Sequence, residues 1–182
     1  MNIKKIANNV LNFSINRTIE IFAIFISIIG ILLLIALLSF SPNDPNFIFP
    51  DNTQIENILG FRGSFTSDLF YQSLGSIVLL IPFSLVFLGL NIFNSKKFFI
   101  IIENFFYTIL YSLCGSLFFT HFYPNSFKLY INGNGGFVGK YLNETFLNSL
   151  INLNLNISYY ALIFIIIFIF FKSINFNIKY FY

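Results

Sequence analysis

The 182-residue chain is 57% hydrophobic and only 9% charged, with mean hydropathy +0.79 and a formal net charge of +3. These values exclude an ordinary soluble domain and mark an integral membrane protein. So small a positive charge, spread over two membrane faces, also argues against direct nucleic-acid binding. Phe is abundant (28) and Trp absent, a bias we attribute to AT-rich codons rather than to aromatic chemistry. The lone cysteine, Cys114, lies in an apolar run and can close neither an intrachain disulfide nor a metal cluster.

Residues 1–18 form a basic N-terminus. Ile3, Ile6, Ala7, Val10 and Leu11 recur at helical spacing opposite Lys4, Lys5, Asn8, Asn9 and Asn12, the pattern of a short helix lying on a membrane surface or of a basic tail that only sets orientation. Residues 19–172 form the membrane domain. Its first span, 21–40, has about twenty residues, which at ~1.5 Å each give roughly the 30 Å of a bilayer core. It ends at Ser41-Pro42-Asn43-Asp44-Pro45, where prolines deny the helix further backbone donors and polar side chains can satisfy its open carbonyls. A cleaved signal peptide is the competing account; the run is longer than a usual hydrophobic region and Pro42 would follow the cut, so an uncleaved span is expected.

The second span is expected over residues 69–93, with Asp68 at its positive end and Pro82 kinking it. The third covers 98–119. An amphipathic helix over 137–151 places Phe137, Val138, Tyr141, Leu142 and Phe146 on one stripe and Lys140, Asn143, Glu144 and Asn148 on the other, so it should lie along the membrane surface. The fourth span, 152–171, has the least distinct start, because its unbroken apolar run begins only at Ser158. Residues 173–182 are a tail. The fold class is thus all-α: four transmembrane helices and a short amphipathic helix before the last.

Lys4, Lys5, Arg17, Lys96, Lys97, Lys172 and Lys179 fall on one side of these spans. Arg62, Lys128 and Lys140 share the other with Asp44, Asp51, Glu56, Asp68 and Glu144. The positive-inside rule then places both termini in the cytoplasm of a plasma or inner membrane. Small residues mark where helices can approach closely: Ala23, Ser27 and Gly30, then Gly75 and Ser76, then Ser112 and Ser116. Whether they serve one bundle or contacts between subunits stays open at this stage, as does homo-oligomerisation.

Glu103 and Glu20 are the ionisable residues nearest the hydrocarbon. Glu103 sits close enough to the start of span three to reach Lys96 or Lys97 and the helix N-terminus, and Glu20 sits at the edge of span one, so both read as structural rather than as proton sites. His121 lies at the far end of span three with no second histidine, which leaves no catalytic triad and no metal set. The segment from Gly133 to Lys140 fails as a phosphate loop, since Asn134 stands where its first glycine belongs and Tyr141 where Ser or Thr must follow the lysine. No catalytic residue, cofactor, metal or small-molecule substrate is expected.

Three segments together resemble the N-terminal four-span membrane domain of the FtsK/SpoIIIE DNA translocases. Ser41, Pro42, Asp44 and Pro45 follow an Ala/Leu-rich run as in that family's exit from its first span; Asn57, Gly60, Gly63, Asp68, Gly75 and Pro82 resemble its entry into the second; Gly135, Gly136 and Gly139 resemble the glycine pattern that opens its last surface helix. Ser64 stands where the family usually has Ala, and the Trp often found late in span two is missing. The resemblance implies a non-enzymatic membrane anchor at the division septum, with roles in cell division and chromosome partition, contacting septal proteins. The family's Walker-motif ATPase motor would follow residue 172, and this chain stops at Tyr182. The alternatives are a small transporter or channel subunit, or a remnant of a split translocase gene.

Overall fold

The computed structural model describes residues 3–45, 54–124 and 132–175; Asp51, Lys128, Lys179 and the side chains of residues 3–7 lie outside the description. Every regular element described is helical: α1 (Ile3–Leu38), α2 (Gly60–Leu74), a 3₁₀ segment (Gly75–Leu80), α3 (Ile81–Ser95), α4 (Ile100–Phe122), α5 (Gly136–Asn143), α6 (Phe146–Leu153) and α7 (Leu155–Ser173). Four stretches are long and apolar enough to cross a membrane: Asn8–Leu38, Gly60–Ser95, Ile100–Phe122 and Leu155–Ser173. Chain order then puts the ends of α1 and α4 at one end of the bundle, the loop end, and the start of α1, the end of α7 and the α3–α4 turn at the other, the termini end.

The helices form a row rather than a closed square. α1 packs along α3, α3 meets α4, and α4 carries α7. Small residues set the first of these contacts. A Cβ on Gly89 of α3 would run into Ser27 and the Ala23 carbonyl of α1, and one on Gly30 would press on Val86 and the Pro82 carbonyl. Ala23, Ser27 and Gly30 are therefore used inside the bundle, which answers the question their spacing raised. Gly115 of α4 in the same way leaves room for Ile77. A core of Leu33, Leu37, Tyr71, Ile77, Val78, Ile81, Tyr111, Phe118 and Ile166 fills the loop half, and a smaller one of Ala23, Leu88 and Ile92 the termini half.

Several boundaries differ from those the sequence suggests, each for a local reason. α1 has 36 residues and runs unbroken from Ile3, so residues 3–18 continue the first span instead of forming a separate surface helix. The second membrane stretch begins at Gly60 rather than at residue 69, which puts Asp68 well inside α2 instead of at its positive end. Its break comes not as a kink at Pro82 but earlier, at Gly75–Leu80. There the tighter 3₁₀ winding leads to Pro82 in the first turn of α3, where a missing N–H removes no helical bond. The surface helix is two helices, separated where Thr145 leaves helical geometry and its side chain caps α6 at Leu147 N. Asn154 likewise caps α7 through Ile157 N, fixing the start of the last span.

The α1–α3 contact yields a direct expectation. Gly89→Ala adds a methyl where the Ser27 side chain and the Ala23 carbonyl already sit, and should cost about 1–3 kcal/mol, read as a lower midpoint of thermal unfolding in detergent.

Candidate functional site

At the loop end, the segment after α1 and the segment before α2 are fastened to each other. Asp44 is 3% exposed, and its two carboxyl oxygens accept from Glu56 N at 2.8 Å and Asn57 N at 3.0 Å. Asn57, 4% exposed, passes the connection on: its Nδ2 donates to the Ala36 and Ser39 carbonyls at 2.9 and 3.1 Å, and its Oδ1 accepts from Leu59 N. Those carbonyls belong to the last turn of α1, whose intrahelical donors have run out. Ser39 Oγ accepts from Ile58 N, Ser64 Oγ donates to the Pro45 carbonyl and Tyr71 Oη to that of Leu37. Gly63 faces Asn57 so closely that a Cβ would overlap the Asn57 side chain. Ser41, Asp44, Pro45, Asn57 and Gly63 thus come together as one buried clasp, with Gly60 starting α2 at φ +64° beside it.

A second junction joins α2, α4 and α5. Gly75 ends α2 with φ 74° and ψ −153°, a conformation open to glycine but not to L side chains, and the next N–H, of Ser76, donates to the Asn134 carbonyl at 2.8 Å. Gly136, also at positive φ (+66°), packs directly on the backbone of Ser73 to Gly75. Gly135 and Gly139 lie against the Ser116 carbonyl and Thr120 of α4, while Ser116 Oγ donates to the Leu74 carbonyl at 2.7 Å. Asn134 is 1% exposed and its Nδ2 donates to the Tyr123 carbonyl. Pro82 sits in the first turn of α3, and Asp68 accepts a long hydrogen bond from Gln72, one turn on.

At the termini end the bundle holds a buried polar cluster that the sequence reading did not single out. Ser84 Oγ lies 3.0 Å from Tyr111 Oη and 2.6 Å from Ser173 Oγ. Asn104 Nδ2 donates to the carbonyls of Ser173 at 2.7 Å and Ser84 at 3.2 Å, and Asn91 Nδ2 donates to that of Ile174 at 2.9 Å. Two asparagines from α3 and α4 thereby cap the C-terminus of α7. An asparagine one residue after Glu103 in an apolar run was the available signal.

Of the ionisable residues, Glu20 forms ion pairs with Arg17 and with Lys96 of the α3–α4 turn. Lys96 therefore serves Glu20 and not Glu103, which lies exposed in the first turn of α4. His121 Nδ1 is 3.3 Å from Asn143 Oδ1. Among the described residues there is no group of three or more His, Cys, Asp or Glu arranged to hold a metal ion. The geometry joins helices to one another; the chemistry it provides is hydrogen bonding and close packing.

The family model described as the 4TM region of DNA translocase FtsK/SpoIIIE matches residues 16–178. The chain therefore belongs to that family and corresponds to its membrane region. A DNA translocase FtsK from Rickettsia bellii is 34% identical over 74 residues, which make up 41% of this chain and 10% of that protein. The chain thus matches only about a tenth of the length of that relative. No solved structure matches.

Removing the side chains at the two ends should have separable effects. Asp44→Ala orphans two backbone donors and should cost about 1–3 kcal/mol, seen as faster proteolysis of the segment around Glu56 to Leu59 in detergent-solubilised protein. Asn104→Ala strands the Ser173 carbonyl at the end of α7 and removes a second bond to that of Ser84; a comparable loss of thermal stability is expected, with the loop-end cleavage pattern unchanged.

Proposed function

We propose that this member of the FtsK/SpoIIIE four-span family is a non-enzymatic anchor that holds a DNA translocase in the bacterial inner membrane at the division septum, with both termini cytoplasmic. The observation that carries the proposal is the match of the family's membrane region across residues 16–178. A relative named DNA translocase FtsK supports the link to translocation, and the pumping itself would fall to a motor outside this region. Charge supports the orientation. Arg17, Lys96, Lys97 and Lys172 lie at the termini end, whereas the loop end mixes Arg62 and Lys140 with Asp44, Glu56, Asp68 and Glu144.

The anchor reading also gives the loop end a task. Beyond the buried clasp, Ile58 (76% exposed), Phe61 (47%) and Ile55 (40%) point outward on a segment that Asp44 and Asn57 hold in place. Apolar side chains on a fixed loop are the kind of surface through which an anchor contacts other septal proteins.

A fluorescent protein that matures only in the cytoplasm, fused after Tyr182 and expressed in dividing bacteria, tests the proposal. A mid-cell band is the expected outcome. Even fluorescence around the envelope would retain the orientation and overturn the septal assignment, and darkness despite full-length expression would overturn the orientation.

A further inference from the structure

Where the 3₁₀ segment packs on α4 beside α7, residues of all three line a groove of about 310 Å³. Its floor is the core itself: Ile77 (4% exposed), Phe118 (7%) and Ile166 (8%). Leu80, Phe119 and Ile167 form its rim. The groove follows from the local backbone. The narrow 3₁₀ winding draws this stretch in, and Gly115 lets Ile77 sink against α4, so no side chain from α3 fills the space between α4 and α7.

We propose that this groove is a binding site for one acyl chain of a phospholipid from the leaflet at the loop end. Three observations select that occupant. First, the site faces hydrocarbon: Ile163 to Ile167 occupy the middle of α7, about 12 Å or more below its start, a depth that a lipid tail reaches and a soluble ligand does not. Second, the space of about 310 Å³ is at the lower end of small-molecule pockets, roughly 300–1,000 Å³, a size that suits a single chain of methylenes. Its walls also lack the stripe of small residues that helix docking in lipid favours.

Third, a polar handle stands one turn nearer the loop end. Tyr123, the residue that caps the end of α4, and Tyr159 of α7 meet hydroxyl to hydroxyl at 2.7 Å, and the Tyr159 ring packs on Phe118 of the groove floor at 5.4 Å. In such a pair one hydroxyl proton is spent between the rings and the other remains for an outside acceptor. Tyrosine at this depth sits where ester and headgroup oxygens lie. An apolar slot beneath a hydroxyl donor matches a molecule with an acyl tail below an ester carbonyl.

The test uses the full chain in vesicles of phosphatidylethanolamine and phosphatidylglycerol carrying a trace of phospholipid with a diazirine at mid-chain, followed by irradiation and peptide mapping. Adducts should concentrate on Leu80, Phe119 and Ile167, severalfold above the exposed face of α1 at Ile21 and Phe25. Ile167→Trp, which closes the rim from an exposed position, should remove most groove adducts and leave those on α1 unchanged, the latter showing that the bundle is intact. Equal labelling of groove and α1 would mean an ordinary lipid annulus and overturn the proposal. Absence of groove adducts beside a labelled α1 would overturn it too, pointing to a second copy or a partner helix as the occupant.

Discussion

Within a bilayer core no water is present to satisfy an open N–H or C=O, so wherever a membrane helix stops or changes winding the protein itself must supply the partners. The architecture described here is organised around that requirement. α1 stops at Leu38, and Asn57 and Ser39 take up the carbonyls of its last turn. The second membrane stretch changes winding at Gly75, and the Asn134 carbonyl meets the N–H that the change turns outward. α7 stops at Ser173, and Asn104 and Asn91 cap its end. At two of these places, the ends of α1 and α7, the partners are asparagine side-chain amides, those of Asn57, Asn91 and Asn104, that donate to open carbonyls.

The two junctions at the loop end are of different physical kinds. The Asp44–Asn57 clasp is made of side-chain hydrogen bonds to backbone, so it depends on which polar atoms are present and tolerates modest shifts. The Gly75–Gly136 junction is made of backbone on backbone, so it depends on the absence of side chains. Gly135 and Gly139 extend it along α4 by letting the Ser116 turn approach within contact distance. Because Ser116 also donates to the Leu74 carbonyl, α2, α4 and α5 are held at one point from three directions. Gly135, Gly136 and Gly139, in a segment that fails the spacing of a phosphate loop, are therefore explained by packing.

Much of this organisation was legible in the sequence, and the rest was not for identifiable reasons. The number of spans follows from hydropathy alone, since the bilayer sets how long an apolar helix must be, whereas their starts, at Ile3 and Gly60 for the first two, do not. The Pro-rich exit at residues 41–45 stood out by its own chemistry, whereas Asn57, Gly60 and Gly63 stood out only through the resemblance to the FtsK/SpoIIIE membrane region. What eluded the sequence were partnerships between distant positions. Asn57 with the Ala36 carbonyl, Ser84 with Ser173 and Glu20 with Lys96 are pairings that exist only when the helices are placed side by side. The continuity of α1 through residues 3–18 was hidden as well, because an amphipathic pattern says which faces differ but not whether the helix axis bends.

The row arrangement gives the ends of the last helix particular weight. Only 6% of the most apolar stretch of α7 is buried, so its long side wall contributes little specificity against a solvent of lipid tails that is itself apolar. What fixes α7 in register is what happens at its extremities. At one, Asn154 caps its first turn, Ser158 Oγ donates to the Ile151 carbonyl and Tyr159 meets Tyr123; at the other, Ser173 is locked to Ser84 and Asn104. Each set alone would leave the helix free to slide or swing about a single point. Together they define both its depth and its tilt, so the direction in which the chain leaves the membrane after Ser173 is set by α3 and α4 rather than by the lipid. For a domain whose proposed role is to hold something attached beyond that exit, a fixed exit is the property that matters, and it is the buried polar cluster, not the hydrophobic surface, that provides it.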